Sequence, residues 1–351
     1  MFQIIVLLSI RRGNRNINRV LALLIGLLTF SLWNFYTYRV GLPAYWRLFN
    51  YESWYAAFLW GPTLYFYIGM ICGQLQFNLG LFLRHYSLGI ALFAIGSIMH
   101  LMNPQQLYVD SFKHIKLLMF YVQMSLYFLL CFQCIKNYNR RIRDHFASID
   151  KMSLSWLQRL LSIFAMLIAV DMGITVPAVL SQAARIPYVE IYQLAEAVAI
   201  FAIGYFSLLY AESLFYEVRK KYENSPLDNQ LSTDLVAKLK TIMQDSEPYK
   251  NNELKLDDLA QLVGISPHYL SQIINEQCQK NFYDFINQYR ARAAAELLLT
   301  NKSFSITQVA YAVGFNNRTS FNSAFKKYIG MTPSQYRLKQ SAADDMLKQS
   351  V

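Results

Sequence analysis

Six apolar stretches, each close to the length of a bilayer-spanning helix, fill this chain between Val20 and Tyr210. They run Val20–Tyr38, Trp54–Cys72, Tyr86–Met102, Leu117–Ile135, Leu160–Leu180 and Val189–Tyr210. A hydrocarbon core of about 30 Å takes about 20 mostly apolar residues in a helix, so these runs predict six membrane spans. A seventh apolar piece, Phe2–Ile10, reaches less than halfway across. It lacks the small-residue cleavage site of a signal peptide and reads as the inner end of a helix that begins upstream, or as an interfacial segment. Composition agrees: 54% of the 351 residues are apolar and only 16% charged, against about 25% charged in an ordinary soluble protein. After Arg219 the character changes to mixed, polar and rich in Lys and Arg, which argues against one uniform globule.

The net charge of +11 fits either a phosphate-bearing partner or the basic loops that anchor spans. Position separates the two. Arg11, Arg12, Arg15 and Arg19 precede the first span; Lys136, Arg140, Arg141, Arg143, Lys151 and Arg159 follow the fourth; Arg219, Lys220 and Lys221 follow the last. The alternate loops carry only Arg39 and Arg47, then Lys113 and Lys116, then Arg185. The positive-inside rule puts the rich set in the cytoplasm, and with it the C-terminal half. The expected location is a bacterial inner (cytoplasmic) membrane, crossed several times. Of the four cysteines, Cys131 and Cys134 form a CxxC inside an apolar helix, which suits neither a redox motif nor a metal site.

The aromatic clusters Trp33–Tyr38 and Trp54–Tyr67 fit interfacial belts, and Pro62 and Pro177 fall within spans where a proline can kink a helix. Two carboxylates stand out. Asp171 is about mid-span, and Glu196 sits at similar depth in the next span. Ionisable groups there face the bundle interior. They read either as interhelical hydrogen-bonding groups or as a shared proton or ligand site at which a signal is received.

Tyr222–Gln230 reads as a short linker, followed by a helix over Leu231–Met243 with Leu235, Val236, Leu239 and Ile242 on one side. Then the sequence repeats. In Leu256–Ile265 and again in Ile306–Phe315, apolar residues fall at i, i+3, i+4 and i+7, with Ala260 matching Ala310, Val263 matching Val313 and Gly264 matching Gly314. Each copy leads into a second helix whose inward positions are Leu270, Ile273 and Ile274, or Phe321, Ala324 and Phe325. The small Ala lets two helices cross closely, and the Gly takes a positive φ where the chain leaves the first helix. Ser266-Pro267 supplies an N-cap and an N1 proline. This is a helix-turn-helix pattern, present twice about fifty residues apart. Between the copies, Phe282–Thr300 predicts one helix of roughly 28 Å, comparable with the ~34 Å turn of B-DNA. Such a strut sets two recognition helices into successive major grooves.

Gly314-Phe315 through Phe321, Phe325-Lys326-Lys327, Gly330-Met331-Thr332-Pro333 and Tyr336-Arg337 resemble the C-terminal signature of AraC-type regulators. Leu259-Ala260, Gly264-Ile265-Ser266, Tyr269-Leu270-Ser271 and Phe285-Ile286-Asn287 match the upstream half of that domain. The resemblance covers about the last hundred and ten residues. Members of that family more often carry a soluble cupin, so no sugar-like ligand carries over to this membrane-type N-terminus. The resemblance, with helix geometry, implies that His268, Ser271 and Gln272 face DNA from the first recognition helix, and Arg318, Thr319, Asn322 and Ser323 from the second. Arg suits guanine edges, Asn and Gln suit adenine, and Lys326 and Lys327 are assigned to phosphates.

The expected architecture is all-α: a polytopic transmembrane helix bundle over residues 1–215 with a sensing role, a linker at 216–230, a double helix-turn-helix domain over 231–340, and a tail at 341–351. The expected function is a membrane-embedded, sequence-specific transcriptional regulator. Expected partners are double-stranded DNA, the lipid bilayer, a second copy of the chain and RNA polymerase, with the signal ligand left open. A transporter or channel with a C-terminal regulatory domain is the alternative, though no inverted pair of Gly/Pro-broken spans supports it. Enzyme chemistry is not expected, as the membrane half has no HExxH, GxSxG or Gly-rich phosphate loop. No cofactor, metal or catalytic residue is assigned.

Overall fold

The computed structural model describes residues 2–9, 15–40, 56–102 except 77, 113–181 except 151, 189–209 and 229–339. These residues are helical apart from turns and one antiparallel bridge between Phe146 and Lys255. The chain divides into two compact units, Met1–Tyr138 with Leu154–Glu217, and Asn139–Ser153 with Val218–Val351. Most of the expected linker and all of the tail at 341–351 lie outside the described residues.

The first unit contains α1 (Phe2–Ser9), α2 (Arg15–Val40), α3 (Trp60–Ile71), α4 (Leu79–Met102), most of α5 (Lys113–His145), α6 (Ser155–Leu180) and α7 (Val189–Leu209). Helix α2 is central and packs against α1, α3 and α7. Leu21, Leu24, Ile25 and Leu28 are buried on it, alongside Phe66 and Ile68 of α3 and Met124 and Cys131 of α5. The short apolar piece at the N-terminus is therefore a packed helix, with Leu7 of α1 buried and Gln3 Nε2 donating to the Phe201 carbonyl at 3.5 Å.

Three of the described helices hold stretches long and apolar enough to cross a membrane: Arg15–Trp33, Ile115–His145 and Ser155–Ala178. Leu79–Leu92 and Leu194–Ser207 are shorter apolar stretches. Of the stretch read from sequence as Trp54–Cys72, residues 54–55 lie outside the described residues, and Trp60–Ile71 form the 12-residue α3, roughly 18 Å long, followed by Gly73 at φ 63°. Residues 56–57 are helical as well, and a turn at 58–59 separates them from α3, so Pro62 follows a break in the run. It occupies the third position of α3, in the first turn, where a missing N–H costs no intrahelical bond. Helix α5 is apolar on both sides: Leu117, Phe120, Tyr121, Met124 and Cys131 face inward, while Ile115, Leu118, Val122, Leu126 and Leu129 form an exposed stripe at helical spacing. Several polar side chains of this unit are paired internally, as in Thr63 with Tyr86 and Tyr67 with Ser207, both at 2.6 Å.

The second unit contains α8 (Asn229–Asp245), a 3-10 turn (Pro248–Lys250), α9 (Leu256–Val263), α10 (Pro267–Gln277), α11 (Phe282–Thr300), α12 (Ile306–Ala312), α13 (Arg318–Ile329) and a final helical stretch at 333–339. The sequence repeat is a repeat of hydrogen bonds as well. Gly264 and Gly314 take φ of 80° and 95°, and the amides that follow, Ile265 and Phe315, each donate to the Ala260 or Ala310 carbonyl at 3.0 Å. Side-chain caps start the second helix of each pair: Ser266 Oγ accepts the Tyr269 amide at 3.3 Å, and Asn317 Oδ1 accepts the Ser320 amide at 2.8 Å. Ser305 and Gln308 close a capping box at the start of α12.

Helix α11 runs unbroken over the predicted Phe282–Thr300 and serves two cores. Its N-terminal residues Phe282, Phe285 and Ile286 pack with Leu259, Val263, Leu270 and Ile274; its C-terminal residues Ala294, Ala295 and Leu298 pack with Val309, Val313, Phe321 and Phe325. Asn139–Ser153, read from sequence as a loop of the membrane half, belongs to this unit. Ala147 is in the first core, and its amide donates to the Leu254 carbonyl at 3.1 Å.

Gly314 joins the two halves at close range: a Cβ there would meet the carbonyl oxygens of Tyr249 at 2.6 Å and Lys250 at 2.7 Å. Gly330, at φ 88°, has open space around it. Gly330→Ala is expected to lose only the left-handed backbone term, about 1–2 kcal/mol. Gly314→Ala adds a clash with backbone and is expected to lose about 3 kcal/mol or more. Thermal unfolding of the full-length variants checks the order; equal losses would mean the approach at Gly314 is relieved by a backbone shift.

Candidate nucleic-acid interface

The second recognition helix, α13, buries Phe321, Ala324 and Phe325 and turns its other face outward. On that face Arg318, Thr319, Ser323 and Lys326 are exposed and Asn322 is half-buried. The ring stack of Phe315, Phe321, Phe325 and Tyr336 fixes the helix from beneath, with neighbouring centroids 5.3 to 5.6 Å apart. Capping by Asn317 uses the Ser320 amide, and the Arg318 and Thr319 side chains have no hydrogen-bond partner among the described residues. A rigid helix carrying a free guanidinium, hydroxyls and a carboxamide is chemically suited to reading base edges in a major groove.

The first recognition helix, α10, is arranged differently. His268, Ser271 and Gln272 are each half-buried. Asn275 Nδ2 donates to the Ser271 carbonyl at 2.8 Å and approaches Ser271 Oγ at 3.3 Å, while Gln272 Nε2 donates to Glu276 Oε1 at 3.0 Å. The polar face of α10 is therefore already knitted together, whereas that of α13 is open. Lys326, at the end of α13, has no ion-pair partner among the described residues, but Lys327 is held: its Nζ donates to Asp284 Oδ1 at 2.7 Å. Asp284 also accepts the Tyr328 hydroxyl at 3.0 Å, and burial, then the Asp284 charge, push that phenol above its ordinary range.

Sequence reasoning missed Arg290, on the central helix. Its side chain is completely buried. Nε donates to the Tyr249 carbonyl at 2.7 Å, Nη2 to Asn251 at 2.8 Å, and Nη1 to Ala147 at 3.1 Å and to Ser148 Oγ at 3.2 Å. The guanidinium lies 5.6 Å from the centre of the Phe315 ring. Burial lowers its pKa to about 10, so it stays charged at neutral pH. Nearby, Ser320 Oγ donates to Asp150 Oδ1. A carboxylate from the 139–153 segment thus sits against the first turn of α13, on the end of a helix that attracts anions.

The two carboxylates of the N-terminal unit are not joined. Asp171 Oδ2 accepts the Tyr121 hydroxyl at 2.7 Å and Oδ1 accepts Thr175 at 3.1 Å. Glu196 is buried, with no hydrogen-bond partner at either oxygen among the described residues, so no direct hydrogen bond joins the two carboxyls.

Residues 259–339 match the helix-turn-helix domain family. The HTH-type transcriptional activator AarP of Providencia stuartii is 33% identical over 97 residues, which make up 27% of this chain and 70% of that protein. The HTH-type transcriptional regulator GlxA of Rhizobium meliloti is 30% identical over 104 residues, 30% of this chain and 32% of the relative. The Msm operon regulatory protein of Streptococcus mutans is 31% identical over 86 residues, 24% of this chain and 31% of the relative. The chain thus spans about a third of the length of the last two. The C-terminal domain of AraT, a response regulator from Geobacillus stearothermophilus, aligns at 30% identity over 33% of this chain and 88% of that domain, with a TM-score of 0.27.

Two outward residues of α13 separate base reading from backbone holding. Arg318→Ala is expected to weaken specific binding by about 1–3 kcal/mol and to relax preference at one operator position. Lys326→Ala is expected to weaken all sequences alike and lower the salt slope by roughly one phosphate contact. Lys327→Ala should change the slope less, because Asp284 already neutralises it. Competition binding at several salt concentrations reads all three; a uniform loss for Arg318→Ala would remove it from the base-reading set.

Proposed function

Because this chain belongs to the AraC-type helix-turn-helix transcriptional regulators, we propose that it is a sequence-specific DNA-binding regulator embedded in a membrane and responsive to a signal there. The observation that carries the DNA-binding reading is the repeated Ala-Gly turn geometry, which holds two recognition helices on one unbroken strut and leaves the polar face of α13 open. Membrane embedding is supported by the three long apolar helices and by the outward apolar stripe of α5, a surface that water would not tolerate at that extent. The basic loops favour a bacterial inner membrane with the C-terminal unit in the cytoplasm. A second copy of the chain and RNA polymerase are the partners such a regulator would engage.

A route for the signal follows from chain connectivity. Asn139–Ser153 continues α5 and leads into α6, two helices with membrane-length apolar stretches, and it packs within the DNA-binding unit. It presents Ala147 and Ser148 to Arg290 and Asp150 to the first turn of α13. Asp150 there repels a phosphate approaching that helix end. Movement of α5 against α6 would withdraw it and free α13.

Recovery of DNA bound by the full-length protein from a randomised library tests the function; failure to enrich any sequence would sink it. For the membrane reading, a reporter fused after Val351 is expected to report the cytoplasm and one inserted near Arg185 the outside. For the coupling, Asp150→Asn is expected to raise operator affinity about 2- to 5-fold without signal, the size of a removed charge at a helix N-terminus. Unchanged affinity would show that Asp150 does not restrain α13.

A further inference from the structure

The N-terminal unit contains a cavity of about 60 Å³ lined by side chains of α2, α3, α5, α6 and α7, among them Leu28, Phe128, Leu161 and Phe164. Two of its lining residues carry polar atoms with no partner. Glu196 is only 5% exposed, and neither carboxyl oxygen makes a hydrogen bond. Trp60 also lines the cavity, and its Nε1–H has no acceptor. The remaining lining is Leu, Ile, Met and Phe, with no Lys, Arg or His among the described residues.

A carboxyl left unpaired in such surroundings is costly, and native structures rarely retain one without a purpose. Asp171, by contrast, is satisfied by Tyr121 and Thr175 and has no comparable demand. The chemistry of the lining restricts what completes Glu196. A bare metal ion would find one carboxyl and no further oxygen side chain, where hard cations take six or more oxygens. A proton alone removes the charge but adds no partner for the two oxygens. An ammonium group brings both charge and donors, and its carbon chain matches the apolar walls. The aromatic faces of Trp60 and Phe128 also favour a cation. Size sets the upper limit: a cavity of about 150 Å³ admits benzene, so this one takes only a few heavy atoms.

We infer that this cavity is a binding site for a small alkyl amine, with Glu196 as the anionic anchor for its ammonium group. That the amine is also the signal rests on the membrane-coupled reading above; the binding does not. Occupancy places a charge pair between α7, which carries Glu196, and the apolar residues of α5 and α6, the two helices that flank Asn139–Ser153.

The test uses the full-length protein in lipid nanodiscs, titrated at constant ionic strength and pH with n-propylamine, n-propanol or sodium propionate. Tryptophan fluorescence and the thermal midpoint are read together. A saturable response to propylamine is expected, with propanol and propionate at least 10-fold weaker. Glu196→Gln keeps the shape and is expected to weaken propylamine at least 10-fold; Leu28→Trp fills the space while leaving the carboxyl, and should do the same. A Glu196→Gln protein that melts like the parent and still binds propylamine equally would overturn the proposal. So would propanol binding as well as the amine, or a response that rises linearly as in simple lipid partition. Promoter output with propylamine is a separate arm. Saturable, Glu196-dependent binding without a change in transcription upholds the site and discards the amine as the signal.

Discussion

A single buried guanidinium organises the C-terminal unit. Arg290 projects from the middle of α11 and collects the carbonyls of Tyr249, Asn251 and Ala147. It also sits over the ring of Phe315, at the turn of the second helix-turn-helix. A charge taken out of water this completely is tolerable only when every donor is matched, and a planar fork with five N–H groups is the one side chain that can match so many at fixed angles. A lysine has neither the reach nor the geometry. The turn at Pro248–Lys250, the 139–153 segment and the second recognition unit therefore take their positions from one residue of the connecting helix.

How much of this was legible in the sequence depends on whether the signal is periodic. The two helix-turn-helix units were plain because Leu259, Ala260 and Val263, and later Val309, Ala310 and Val313, repeat the spacing of a buried helix face, and because Gly264 and Gly314 mark the same exit. The span of α11 was readable as the continuous stretch Phe282–Thr300, while its cap at Asn281 was not singled out. Arg290 was not, since an arginine in an amphipathic helix reads as a solvated charge unless its long-range partners are known. Docking of Ala147 and Ser148 is equally invisible: it joins residues more than a hundred positions apart and leaves no local pattern. The pairing of Lys327 with Asp284 escaped for the same reason, and so did the separate fates of Asp171 and Glu196, whose similar depth suggested a pair. Apolar length alone also did not show the turn at 58–59 that divides the run Trp54–Cys72 before α3.

The two units distribute their apolar side chains differently. In the C-terminal unit apolar side chains are gathered inward and polar ones left outside, so local helical periodicity carries the fold. In the N-terminal unit apolar side chains lie on both faces of α5, and hydropathy no longer distinguishes inside from outside. Specificity there comes from the few polar contacts, such as Thr63 with Tyr86, Tyr67 with Ser207 and Tyr121 with Asp171. If the unit lies in a membrane as proposed, competing water is absent, and each such pair would define which helices are neighbours and in what rotation. Glu196 is conspicuous because it breaks this economy.

The unbroken α11 has a consequence for any duplex the protein occupies. With no glycine or proline within its 19 residues, it has little torsional give and resists stretching. Each base pair added between two recognition sites rotates the second by ~35° about the DNA axis, from about 10–10.5 base pairs per turn. A rod of constant length and phase cannot follow that rotation. Mutational drift in the intervening bases is then silent so long as their number is kept, whereas a single inserted or deleted pair carries one site around the duplex and out of register. Selection on the regulated promoters would act on the count of those bases before their identity.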